Sequence, residues 1–193
     1  LVQPFLRDGD TIYDLGCSLG AVGWSIDRNL SHRVTLIAVD NSTAMIEQLK
    51  TNLSRVETRA NWRLMIADVV KLTYDSARVM TMHYCLQFIR PEDRLSVLTA
   101  ICDALEDGGA LFLSEKICGA TSFEAQWLVE QHHAFKSRMG YSQREIEGKA
   151  ESIAKMMPVE TIETHETRLR RAGFKSVHRW RQSLNFVSWV AVK

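Results

Sequence analysis

The residues best placed to do chemistry are carboxylates and small residues at the ends of apolar runs. The segment Tyr13-Asp14-Leu15-Gly16-Cys17-Ser18-Leu19-Gly20 joins an acid to a small-residue loop. Glycine at 16 and 20 lets the main chain approach a ligand where a Cβ would collide. Further on, Ile37-Ala38-Val39 ends in Asp40-Asn41. An acid at that spacing accepts hydrogen bonds from both hydroxyls of a ribose, and its charge argues against a 2′-phosphate. A third acid, Asp68, follows Leu64-Met65-Ile66-Ala67 and precedes Val69. Asp68 can accept from the exocyclic amine of an adenine, with Val69 as an apolar contact or backbone donor. These residues predict a nucleoside site built on Asp14, Gly16, Gly20, Asp40, Asp68 and Val69.

Each motif has a plainer alternative. The loop also fits G-x-S-x-G, the nucleophile elbow of α/β-hydrolases. Context opposes that reading, because an elbow normally follows several strands and this loop follows the first. No later acid and histidine are marked as triad partners. Asp40 could be a solvated strand-end acid, and Asp68 a helix N-cap. NAD would use an acid where Asp40 stands; the acid at the third strand tip favours S-adenosylmethionine (SAM).

His83 ends a fourth apolar run, where the transferable group of such a cofactor would face. An imidazole titrating near neutrality can act there as a base; contact with the cofactor, or packing alone, are the alternatives. His132 and His133 are adjacent, not spaced to share one helix face, so no metal site is expected. They line a substrate cavity with Phe135 and Tyr141, or serve as exposed or capping residues. The run Arg168-Leu169-Arg170-Arg171, with Lys175, Arg179 and Arg181, could touch RNA phosphates, but a solvated helix face beside an alternating strand is the commoner origin of such a run.

The elements that position these residues follow from the pattern. The 193 residues are 46% hydrophobic and 24% charged, which suits a single globular domain with a substantial core. A net charge of +1 gives no general pull toward nucleic acid or membrane. No apolar run approaches membrane-spanning length. The four cysteines show no metal spacing and read as reduced thiols of a cytoplasmic protein. Strands are expected at Thr11–Cys17, Thr35–Asp40, Trp62–Ala67, Arg78–Tyr84 and Ala110–Glu115. Helices fall at Ala21–Asn29, Thr43–Ser54 (capped by Ser42) and Pro91–Leu105 (stopped by Asp107-Gly108-Gly109). That alternation predicts a doubly wound parallel sheet. A helical insertion then spans about 121–158, broken near Gly140, and a helix follows over Ile162–Ala172. The last strands, Ser176–Gln182 and Phe186–Val192, are joined too tightly for a crossover and must be antiparallel. Such a sheet is similar to the Rossmann-like fold of class I SAM methyltransferases. The opening Leu1–Leu6 reads as the tail of a helix, so a segment before Leu1 is expected.

Finer features narrow the resemblance. The chain resembles the carboxy-SAM synthases, SAM-fold enzymes of tRNA wobble-uridine modification. The likeness rests on Tyr13–Gly20, Asp40-Asn41-Ser42, Leu86-Gln87-Phe88, Ser114-Glu115-Lys116, His132-His133, Gly140-Tyr141-Ser142 and Glu163-Thr164-His165. It implies SAM as cofactor, held at Gly16, Cys17, Ser18, Asp40, Asn41, Asp68 and Val69, with prephenate as co-substrate, carboxy-SAM as product and a homodimer. Two departures qualify it. Ala150 follows Lys149 where the family carries an arginine that holds the added carboxylate, and His83 stands where the family has asparagine. Losing the arginine contact in a desolvated pocket would cost about 2–5 kcal/mol.

The expectation is therefore a SAM-dependent transferase that moves the ordinary methyl group to a small-molecule or tRNA-pathway acceptor. S-adenosylhomocysteine is then the product, His83 the candidate base, and His132, Phe135, Tyr141 and Lys149 the acceptor pocket. Carboxy-SAM synthesis, with Lys149 or a partner's arginine replacing the lost contact, is the alternative. A non-catalytic SAM-binding module assisting an RNA enzyme is a third.

Overall fold

The computed structural model describes residues 1–154 and 157–193, with side chains outside 149–156. Its strands are β1 (Thr11–Leu15), β2 (Thr35–Asp40), β3 (Asn61–Ile66), β4 (Ala77–His83), β5 (Leu105–Lys116), β6 (Ser176–Ser183) and β7 (Phe186–Val192). Its helices are α1 (Ala21–Arg28), α2 (Thr43–Leu53), α3 (Arg94–Ala104), α4 (Ser122–Arg138), α5 (Gln143–Ala154) and α6 (Ile162–Arg171). The strands form one sheet in the order β3-β2-β1-β4-β5-β7-β6. β1 to β5 run parallel, and β7 lies antiparallel between β5 and β6. The order reverses between β1 and β4, and open α/β sheets bind their ligands at such a crevice. No helix among the described residues is long and apolar enough to cross a membrane.

Local chemistry explains the element ends. Ser42 caps α2 as expected, its hydroxyl accepting from the Met45 N–H. Thr121 and Thr161 cap α4 and α6 in the same way. β1 stops at Leu15, short of the expected Cys17, because Gly16 turns to φ +71°. The Gly108-Gly109 pair is not simply a helix stop. α3 ends at Ala104, and the glycines lie inside β5, where the pairing with β4 jumps from Ala77↔Leu105 to Val79↔Ala110. Gly109 is required there: a Cβ would stand 2.8 Å from the carbonyls of Arg78 and Glu106.

The insertion leaves and rejoins the sheet at one point. Ile117 bridges Glu160 in parallel, and Cys118 N–H donates to the Glu160 carbonyl at 3.1 Å. The Glu160 side chain pairs with both Arg94 and Arg168. Arg94 is fully buried and also donates to the carbonyls of Gln87, Ile89 and Pro158 at 2.9–3.1 Å. A buried charge with its donors this completely used is well compensated.

Candidate functional site

β1 delivers the 16–20 loop to the carboxyl edge of the sheet, and main-chain hydrogen bonds fix it there. The N–H groups of Gly16 and Cys17 both donate to the Val39 carbonyl at 2.9 Å. Ser18 N–H donates to Asp40 Oδ2 at 2.8 Å, and Ser42 N–H to Asp40 Oδ1 at 2.9 Å. Two donors thus hold the carboxylate, while each oxygen retains acceptor capacity for a ligand. A Cβ on Gly16 would stand 2.6 Å from Cys85 Sγ, so the close approach of loop and wall depends on glycine.

These elements border a cleft of about 580 Å³, a size that suits a nucleoside bearing an amino-acid tail. Of the expected contacts, Gly16, Ser18, Asp40, Asn41, Asp68 and Val69 line it. Asp68 also has the plainer role, since its Oδ1 caps a turn by accepting from Val70 N–H at 2.9 Å.

Four expected contacts do not line this cleft. Asp14 is buried; it accepts from Gly23 N–H at 3.1 Å and from the Thr81 hydroxyl at 2.8 Å. Burial pushes its pKa up to about 6. Asp14 therefore ties β1 to α1 and β4. Cys17 is buried behind the loop, its thiol pushed up to about 12 chiefly by desolvation. Gly20 caps α1 at φ +80° against Leu49. The fourth, His83, lies in a neighbouring cavity.

Sequence reasoning missed the wall after β4, where Tyr84, Cys85, Phe88 and Arg90 line the cleft. Tyr84 takes φ +54°, a strained conformation for a tyrosine. Its N–H donates to the Ser114 carbonyl at 2.7 Å, and its ring meets Phe186 edge-on at 5.6 Å. Glu115 secures the wall from beneath by accepting from Leu86 N–H at 2.9 Å and Gln87 N–H at 3.1 Å. Burial raises its pKa to about 8, against those donors and Arg94, which favour the charged form. The Ser114-Glu115-Lys116 string marked the place but not the task.

His83 opens into a second cavity of about 300 Å³, which Tyr84, Ser114, Arg181, Phe186 and Ser188 also line. Successive residues at a strand end point to different faces, and Tyr84 borders both spaces. Burial lowers the His83 pKa, which favours the neutral imidazole. His132 packs edge-on against Phe186 at 5.2 Å, beside this cavity. Its pKa falls to about 4 through burial, helped by Lys136, Lys116 and His133. Phe135 and Tyr141 are exposed and line neither cavity. The side chains of Lys149 and Ala150 lie outside the described residues. Much of the basic C-terminal run is paired internally: Arg168 with Glu160, and Arg170 and Arg179 with Glu166.

The chain is similar to known proteins. The family described as a methyltransferase domain matches residues 12–109. A carboxy-S-adenosyl-L-methionine synthase of Cronobacter sakazakii is 39% identical over the whole chain and 78% of its own length. The protein of the same name from Pseudomonas putida is 43% identical over the whole chain and 80% of its length. Among solved structures, the apo form of the SAM-dependent methyltransferase SibL matches with a TM-score of 0.67 at 18% identity. That match covers 98% of this chain and 52% of SibL, and it shows the shared Rossmann-like fold.

Proposed function

The chain belongs to the carboxy-S-adenosyl-L-methionine synthase family, a branch of the methyltransferase-domain proteins, and from that premise we propose that it transfers the methyl group of SAM to a small-molecule acceptor. That it is a SAM-dependent transferase follows from the family. The choice of methyl rests on Ala150, a side chain unable to make the guanidinium contact that a carboxylated sulfonium needs.

The observation that carries the site is the doubly held Asp40 beside the glycine-dependent approach of Gly16 to Cys85. In this reading Gly16, Ser18, Asp40, Asn41, Asp68 and Val69 hold SAM. Bound there, SAM supplies a carbon made electrophilic by its sulfonium. Asp40 accepts from the ribose hydroxyls, and the acceptor meets the cofactor from the second cavity at Tyr84, which borders both spaces. His83, neutral and half-buried, takes the proton from the acceptor's nucleophilic atom. Glu115 and Arg94 hold the segment after Tyr84 in place, which fixes the orientation of the reactants. Incubating the protein with SAM and cell metabolites and weighing the products tests this. S-adenosylhomocysteine together with a product heavier by one methylene unit is expected. A carboxylated sulfonium formed from SAM and prephenate would replace the proposal with the second reading.

That second reading, carboxy-SAM synthesis, is favoured by the relatives' names over the full chain; a cytoplasmic role in tRNA wobble-uridine modification would go with it. A homodimer is supported by exposed Phe123, Trp127 and Met139 on or beside α4, and sedimentation would test it. Direct RNA binding draws little support, because much of the basic run is internally paired.

A further inference from the structure

We propose that the outer edge of β3 is a docking site for an acidic, extended segment of another protein, which adds a strand to the sheet there. The site lies outside both cavities and does not depend on what the cleft binds.

The backbone carries the argument. β3 ends the sheet and pairs only with β2. Asn61 N–H donates to the Val34 carbonyl at 2.9 Å, and Ala67 N–H to the Asp40 carbonyl at 3.1 Å. Along a strand, alternate residues turn both their N–H and their C=O toward the same neighbour. Asn61, Arg63, Met65 and Ala67 therefore face β2, and Trp62, Leu64 and Ile66 turn these groups outward. Among the described residues no backbone group bonds to the outward set. Donors and acceptors in unbroken register are what an added strand matches.

The two edges of the sheet are finished differently. β6 is irregular between Arg179 and Arg181 and carries both cations, and bulges and charges are the devices by which an edge refuses a further strand. β3 keeps continuous register with β2 from Asn61 to Ile66. It has no proline, and Arg63 is its only charged residue. The Ile66 side chain is 50% exposed, so an apolar contact lies beside the free backbone groups.

Charge defines the occupant. Arg55, Arg59, Arg63 and Lys71 lie in and around β3, all exposed, and none forms an ion pair among the described residues. The acids on this stretch are Glu57 and Asp68, and Asp68 is engaged by Val70 N–H beside the cleft. Successive side chains alternate across a strand, so Arg63 stands on one face and Leu64 and Ile66 on the other. A partner strand that alternates acidic with apolar residues satisfies both faces. A nucleic-acid backbone would use the cations and leave the outward N–H and C=O groups unmatched.

The test is calorimetric titration with a cyclised hairpin, pre-organised so that its outer strand alternates valine with glutamate, and with the counterpart carrying lysine for glutamate. Amide hydrogen exchange read by NMR then locates the contact. Expected is saturable binding of the glutamate hairpin, at least about tenfold tighter than the lysine one, with new protection of the Trp62, Leu64 and Ile66 amides. Arg63→Glu should reverse the preference. Ile66→Pro removes an outward donor, which an edge strand tolerates, and should abolish binding while unfolding stays cooperative. Failure of the hairpin to bind, binding that leaves the outward amides unprotected, or binding that survives Ile66→Pro overturns the proposal. Protection of the same amides that rises with protein concentration alone would give the edge to a second copy. Tighter, Arg63-dependent binding of single-stranded RNA would give the cations to nucleic acid. Either result replaces the proposed partner.

Discussion

The two spaces that meet at Tyr84 are built from different materials. The larger cleft is shaped by main chain: Gly16 and Cys17 N–H groups on Val39, Ser18 and Ser42 N–H groups on Asp40. The smaller cavity is shaped by side chains drawn from β4, β5, β7 and β6, placed by register and one bulge. Main-chain geometry tolerates few substitutions, so that half is the harder one to retune. Side chains can change one at a time, so the other half can be retuned while the fold stays constant.

The sharpest way to break that contrast is at the wall both spaces share. Arg94→Met removes the donor to the Gln87, Ile89 and Pro158 carbonyls and leaves Glu160 short of a partner. Urea unfolding should show a loss of about 3–5 kcal/mol. Gly16→Ala attacks the first cleft alone. Strain at φ +71° and the clash with Cys85 should weaken S-adenosylhomocysteine binding about a hundredfold, as read by calorimetry. Asp40→Asn keeps an oxygen for one backbone donor but forfeits the charge-assisted contacts, and should cost about 1.5–3 kcal/mol of the same affinity.

A smaller effect separates holding from contacting. Asp14 is raised to about 6 in the folded protein from 3.8, so the folded state binds its proton more tightly. Its contribution to stability is present below about pH 4 and is lost as pH rises through 6. Asparagine can serve both Gly23 and Thr81 without titrating. The stability of Asp14→Asn relative to the parent should therefore improve by about 2 kcal/mol between pH 4 and pH 7, measured by unfolding at each pH. Smallest of all, Phe135→Ser touches an exposed ring and should alter monomer stability by less than about 0.5 kcal/mol. A large effect on activity would restore Phe135 to the acceptor pocket.

The same division explains what could be read from sequence. β2 and β7 fall where alternation and apolar runs place them, and Ser42 caps α2, because these depend on neighbours in the chain. Gly16, Ser18 and Asp40 were legible for the same reason: a strand, a tight turn and a second strand are local. Asp14 looked like a ligand contact because spacing reveals an acid but not its direction, and Gly23 and Thr81 consume it from the inside. That His83 lines the second cavity and not the first cleft is hidden in the sequence, because the left-handed turn at Tyr84 has no sequence signature in a tyrosine. Arg181 read as one more member of a basic run. Its place at the second cavity arises from pairing across four strands and an extra residue in β6, information that exists only once the sheet is assembled.

Because Ile117 and Glu160 meet at a single bridge, everything between them is a closed excursion whose ends are already side by side. The entropy of closing such a loop changes slowly with its length, so the excursion can be lengthened, trimmed or exchanged without rethreading the sheet. Descendants of this fold could acquire new partners for the transferred group by swapping one cassette, leaving the nucleoside grip untouched.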